Sequence, residues 1–117
     1  DTLQAVEKHA YADVLEKPGQ RDITAHVDFA ACATVEQETG GVRIHGPAAQ
    51  GAFLTRMGIT TRAEVLRKNA EDSAAIDAAL SRLIAPNHMG VLFKVLGLSA
   101  SASNLHPAGF NDEENTP

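Results

Sequence analysis

The sequence predicts an α/β fold, and three observations point to it. A helical pattern from Phe29 to Thr39 stops at Gly40-Gly41 and passes directly into the strand-like Val42-Arg43-Ile44. The run Val91 to Leu98 is apolar and of strand length. Between these two strand candidates lies a block, residues 48–85, whose apolar residues recur at helical spacing.

Taken in order, Thr2 to Val6 alternates weakly and reads as a short strand or extended segment, followed by a loop through His9 to the Pro18-Gly19 turn signal. Ile23, Ala25 and Val27 then alternate with Thr24, His26 and Asp28, which in an extended chain places the three polar side chains on one face. Asp28 is suited to cap the helix that starts at Phe29. The strand from Val42 ends at His45-Gly46-Pro47, and a helix from Ala48 ends at Gly58. Thr61-Arg62-Ala63-Glu64 matches a capping box that opens a second helix through Lys68. Asn69 or Asp72 can cap a third, in which Ile76, Leu80, Leu83 and Ile84 share a face before Pro86. Lys94 is the single charge within the final apolar run, which we read as a strand over Val91 to Leu98. The chain thus reads as ordered over 1–98 with a flexible tail over 99–117, disordered from Asn111 onward.

So few strands, divided by a helical block, bury too little surface to stand alone. They read as one edge of a sheet whose other strands lie upstream. The start at Asp1, with no Met, reads the same way, as a chain cut from a longer one.

Composition excludes several function classes. The formal charge is −5, Lys and Arg are scattered singly, and only 4% of residues are aromatic with no Trp, so neither phosphate attraction nor base stacking is favoured. No window approaches the roughly 18 to 20 apolar residues of a membrane span. The lone Cys32 forms no internal disulfide and, set among alanines, reads as a small buried side chain in a reducing cytoplasm. Phosphate-loop, dinucleotide and His-Glu-x-x-His motifs are absent, and one cysteine rules out a cysteine-based zinc site.

Two segments hold the candidate chemistry. In Asp22-Ile23-Thr24-Ala25-His26-Val27-Asp28-Phe29, a hydroxyl, an imidazole and a carboxylate on alternate positions suit acid/base work or substrate positioning. Spacing alone favours the plainer reading, with Asp28 as a cap, Thr24 serving backbone and His26 packed at a strand end. In His45-Gly46-Pro47-Ala48-Ala49-Gln50-Gly51-Ala52-Phe53-Leu54, free N–H groups at a helix start could face a ligand, although a tight connection with Gly51 allowing close packing is the simpler account.

These segments, with Asp1-Thr2-Leu3-Gln4-Ala5-Val6 before them and Met89-Gly90-Val91-Leu92-Phe93-Lys94-Val95-Leu96 after, resemble the C-terminal region of the MidA family over residues 1 to 98. The resemblance implies a class I, Rossmann-like, S-adenosylmethionine-dependent methyltransferase, similar to mitochondrial assembly factors that methylate an arginine of a respiratory complex I subunit. It implies the final two strands of that sheet in Val42 to His45 and Val91 to Leu98, the last antiparallel, with a helical insertion between them. The cofactor motif of such an enzyme lies in an N-terminal half that this chain lacks, so S-adenosylmethionine is expected to bind the full-length parent and not these residues alone. A protein substrate and that missing half are the implied partners. By the same resemblance His26 and Asp28 are candidate catalytic residues lining the acceptor pocket, and Thr24 and Gln50 shape it as substrate-binding residues. The alternative from another class is a non-catalytic protein-binding or assembly module derived from the same fold.

Overall fold

The computed structural model describes residues 2–110, apart from the side chains of residues 36 and 37, and the chain divides into two compact units, Asp1–Cys32 and Ala33–Pro117. The expected disordered tail from Asn111 lies outside the described residues.

The first unit is a three-stranded antiparallel sheet of β1 (Gln4–Glu7), β2 (Ala10–Ala12) and β3 (Asp22–Thr24), in the order β2-β1-β3. Where a loop was expected after β1, the chain instead forms a hairpin: Lys8 and His9 carry φ of 52° and 66°, the double left-handed conformation whose twist matches paired strands. Ala5 of the central strand is buried, at 1% exposure. The loop after β2 is tied down by Arg21, whose Nε donates to Glu7 Oε2 at 3.0 Å, Nη2 to Glu16 Oε2 at 2.9 Å and Nη1 to the Asp13 carbonyl at 2.8 Å. The Glu16 hydrogen bond holds the Arg21 guanidinium above its ordinary pKa, opposed by burial and assisted by Glu7.

Helix α1 (Phe29–Thr39) follows, as its cap and stop signals predict: Asp28 Oδ1 accepts from Ala31 N at 3.0 Å, and the chain leaves the helix through Gly40 at φ 63°. Cys32 is half-buried.

The second unit pairs β4 (Val42–Ala49) with β5 (Lys94–Ala100), antiparallel. Strand β4 runs past the expected end at His45. Its register with β5 slips between His45↔Gly97 and Ala48↔Val95, so one extra residue is accommodated at Gly46-Pro47, joined by a cis peptide bond. Such a bulge is where a strand tolerates Pro, which has no N–H for the ladder. Ile44, His45 and Ala48 are buried along this strand.

Between the two strands lie α2 (Gln50–Arg56), α3 (Ile59–Asn69), α4 (Ser73–Ile84) and α5 (Met89–Leu92), the helical block the sequence anticipates. Two details differ. Helix α3 starts at Ile59 with Gly58 as its cap, in the left-handed region at φ 86°, so Thr61 and Glu64 lie inside the helix and form no capping box. Residues Met89–Leu92 form a helical turn, closed by the bond from Phe93 N to the Met89 carbonyl at 3.2 Å, and the last strand begins only at Lys94. An apolar run of this length fits a strand or a buried helical turn equally well, and packing decides. Here Gly90 lies so close beneath the Ile84 carbonyl that a Cβ there would stand 2.0 Å from that oxygen. Asp72, not Asn69, caps α4, accepting from Ala75 N at 3.2 Å.

Ordered packing continues past residue 98. Strand β5 extends to Ala100, and Phe110 stacks obliquely on Phe53 with ring centroids 5.2 Å apart.

Candidate functional site

The β1–β3 ladder ends at the pair Gln4↔Thr24. Beyond it the N–H of His26 is taken by the side-chain oxygen of Thr2 at 3.2 Å, so residues 25–28 run as coil, and regular alternation stops at Thr24. Thr24, His26 and Asp28 are all exposed. The Asp28 carboxylate donates nothing and accepts through Oδ1 from the first turn of α1, while its carbonyl accepts from Cys32 N at 3.1 Å. Asp28 is therefore a helix cap whatever else it does. Its second carboxylate oxygen, the His26 imidazole and the Thr24 hydroxyl have no hydrogen-bond partner among the described residues.

Gln50 belongs to the second unit and is held at the junction of β4 and α2. Its backbone N–H donates to the Phe93 carbonyl at 2.9 Å, and its side chain donates through Nε2 to the Leu83 carbonyl at 2.9 Å, the latter satisfying an acceptor in the last turn of α4. The next residue, Gly51, is the close-packing glycine expected: a Cβ there would lie 2.5 Å from the Ile84 carbonyl oxygen.

The sequence reading assigned no role to His45, which is 2% exposed. Its Nε2 lies 2.8 Å from Ser99 Oγ on β5, and its ring faces Phe110 with centroids 6.0 Å apart. Gly97, opposite His45 in the ladder, leaves room for the Phe110 ring, since a Cβ would stand 2.9 Å from it. The partners lie 54 residues apart in sequence, so no local pattern announces the pairing.

An open apolar groove of about 380 Å³ lies among α2, α3 and α4, lined by side chains that include Leu54, Leu66, Ile76 and Leu80, with Arg62 on its wall. These residues do not fit S-adenosylmethionine. A sulfonium cofactor asks for acidic groups and polar partners, and this groove offers hydrocarbon and a guanidinium of the same sign as the sulfonium. Among the described residues there is also no cluster of three His, Cys, Asp or Glu able to hold a metal ion, and no helix is long and apolar enough to cross a membrane.

Comparison with known proteins places the chain. Residues 1–48 match the family described as "Putative S-adenosyl-L-methionine-dependent methyltransferase". The mitochondrial protein arginine methyltransferase NDUFAF7 homolog of Drosophila melanogaster is 37% identical over 100 residues, covering 84% of this chain and 23% of that protein. The protein arginine methyltransferase NDUFAF7 of Rattus norvegicus is 38% identical over 101 residues, with the same shares. A Burkholderia thailandensis crystal structure bound to S-adenosyl-homocysteine superimposes with a TM-score of 0.69 at 31% identity, covering 83% of this chain and 25% of that one. The chain thus spans about a quarter of the length of the relatives it matches. With sequence and fold in agreement, the chain belongs to this family of S-adenosylmethionine-dependent methyltransferases.

Proposed function

We propose that this chain is the acceptor-side, C-terminal portion of an S-adenosylmethionine-dependent protein arginine methyltransferase, whose cofactor half lies in the part of the relatives that the chain does not span. The observation that carries the reading is the identity of 37% with an arginine methyltransferase over 84% of the chain. The substrate is then a protein, with a respiratory complex I subunit as the specific acceptor we put forward, and the cytoplasm of a bacterial cell as the location.

An arginine acceptor must have its guanidinium held in a fixed orientation and must give up a proton. A carboxylate and an imidazole two residues apart suit both tasks: Asp28 would hold guanidinium N–H groups and His26 would receive the proton. Their availability supports the assignment, since both side chains are exposed and neither the imidazole nor the second Asp28 oxygen is engaged among the described residues. Thr24 and Gln50 would shape the acceptor side, Gln50 indirectly, because its amide already donates to the Leu83 carbonyl.

The test is His26→Ala in the complete enzyme, assayed with labelled S-adenosylmethionine and the acceptor protein. Methyl transfer should fall by about 100-fold, the usual worth of a general base, with cofactor affinity unchanged. An unchanged rate would remove His26 from the site. Saturable micromolar binding of S-adenosylmethionine by the 117 residues alone would overturn the division into cofactor and acceptor portions. A second reading, a binding module without catalysis, is favoured by α4, an amphipathic helix with no buried residue.

A further inference from the structure

His26 stands on irregular backbone, and that backbone is held from both sides. The β1–β3 ladder pairs Ala5 with Ile23 and Gln4 with Thr24, and the same register, continued, sets Thr2 opposite His26. The bond made there is not between main chains: the His26 N–H donates to the side-chain oxygen of Thr2 at 3.2 Å. On the other side Asp28 ties the chain to α1, its carboxylate accepting from Ala31 N at 3.0 Å and its carbonyl from Cys32 N at 3.1 Å. Val27 is the one residue between these two anchors, and it is 61% exposed, so packing does little to hold the segment.

Coil residues sample several backbone conformations unless something fixes them. A group that receives a proton has to lie within hydrogen-bond reach of it, and a misplacement of about 1 Å can lower a rate by about 100-fold. The Thr2 bond adds little to global stability, because the exposed His26 N–H turns to water when the hydroxyl is removed. What the bond settles is local, namely the place of the His26 main chain and with it the range of the imidazole.

We infer that Thr2 is a positioning residue for His26, its hydroxyl setting where the imidazole meets the acceptor guanidinium. The inference rests on the reading of His26 as the group that receives the proton, and adds to it the side chain that holds this group in place. Thr2 acts through the His26 main chain and touches neither acceptor nor cofactor in this role. Valine has nearly the shape of threonine but no acceptor oxygen, whereas serine keeps the hydroxyl, so the two substitutions separate the bond from the bulk.

The test uses the complete enzyme, with labelled S-adenosylmethionine and the complex I subunit put forward above as acceptor. Thr2→Val should lower kcat about tenfold, with KM for the acceptor and affinity for S-adenosylmethionine unchanged, since the base is displaced and not removed. Thr2→Ser should stay within about twofold of the native rate, because the hydroxyl is kept. In a His26→Ala background Thr2→Val should have no further effect, as expected of two residues that act as a unit. Hydrogen exchange of the peptide holding His26 should quicken in Thr2→Val and not in Thr2→Ser, and circular dichroism checks that each variant folds. A native rate in Thr2→Val beside a reduced rate in His26→Ala would overturn the inference and leave the reading of His26 standing. A native rate in His26→Ala would remove both. Equal losses from Thr2→Val in the native and His26→Ala backgrounds would mean that Thr2 serves the fold alone, and would overturn the inference as well.

Discussion

The imidazole of His45 on β4 meets the hydroxyl of Ser99 on β5, Nε2 to Oγ at 2.8 Å, in a sheet where His45 is 2% exposed. A polar side chain buried this deeply stays in place because it is hydrogen-bonded, and here the bond also fastens one strand to the other. Ser99→Ala removes that partner while keeping the strand. Unfolding by urea should show a loss of about 1 kcal/mol, the net worth of one such bond, rising toward 3 if the ring nitrogen is left unsatisfied. Unaltered stability would mean that the bond does not brace the pair.

Gly97 and Phe110 are predicted to be energetically coupled. A methyl group at Gly97 would stand 2.9 Å from the Phe110 ring and 3.3 Å from the His45 Cβ. Gly97→Ala should cost about 1 to 3 kcal/mol through overpacking. In a Phe110→Ala background the cost should fall by at least about 0.5 kcal/mol, the mark of residues in direct contact. A cost that stays the same in both backgrounds would point to the backbone instead of the ring.

Gly51 should be intolerant of alanine, although alanine favours helix. Gly51 is the second residue of α2, and propensity alone predicts a gain of at most about 1 kcal/mol. Against it stands the Ile84 carbonyl oxygen, 2.5 Å from the would-be Cβ, with Gly90 Cα at 3.2 Å. These are backbone atoms and cannot rotate aside, so Gly51→Ala should lower the melting temperature. A higher melting temperature would mean that the helices separate readily.

The two cap signatures around α3 and α4 should behave oppositely. Asp72→Ala removes the acceptor of the Ala75 N–H and should cost about 1 kcal/mol. Thr61→Ala should stay within about 0.5 kcal/mol, since α3 begins at Ile59 and Thr61 caps nothing. Parallel thermal melts of the two variants check both.

Asp28 has a structural duty and a proposed chemical one, and Asn separates them. Asparagine caps helices as well as aspartate does, so Asp28→Asn should keep the stability that the Ala31 bond contributes. Methyl transfer by the complete enzyme should nevertheless fall at least tenfold, because a neutral amide orients a guanidinium poorly. Full activity in Asp28→Asn would leave Asp28 a cap only.

What the sequence discloses here is what is settled within a few residues. The Asp28 cap, the exit at Gly40 and the Asp72 cap each rest on chemistry between near neighbours, and all three form. The β1–β2 hairpin escapes such reading because its turn is made by Lys8 and His9, without the Asn-Gly, Asp-Gly or Gly-Gly pair that announces such a turn. The turn Met89–Leu92 escapes because Gly90 is positioned by the distant Ile84. At the candidate site, Thr24, His26 and Asp28 are legible as a polar cluster, but the end of the strand at Thr24 depends on where β1 stops pairing. His45 is invisible as a partner of Ser99 because only the closed sheet unites them.

The placement of α2 through α5 between two paired strands has a consequence for how such a protein can vary. The β4–β5 ladder and the bond from Gln50 N to the Phe93 carbonyl clasp the block at its base, so residues 51–92 form one closed excursion from the sheet. The chain entropy of closing an excursion grows only logarithmically with its length, about 0.6 kcal/mol for each doubling. Helices here can be lengthened, shortened or exchanged at little thermodynamic cost to the sheet, which leaves the surface of the block free to diverge while the framework beneath it stays put.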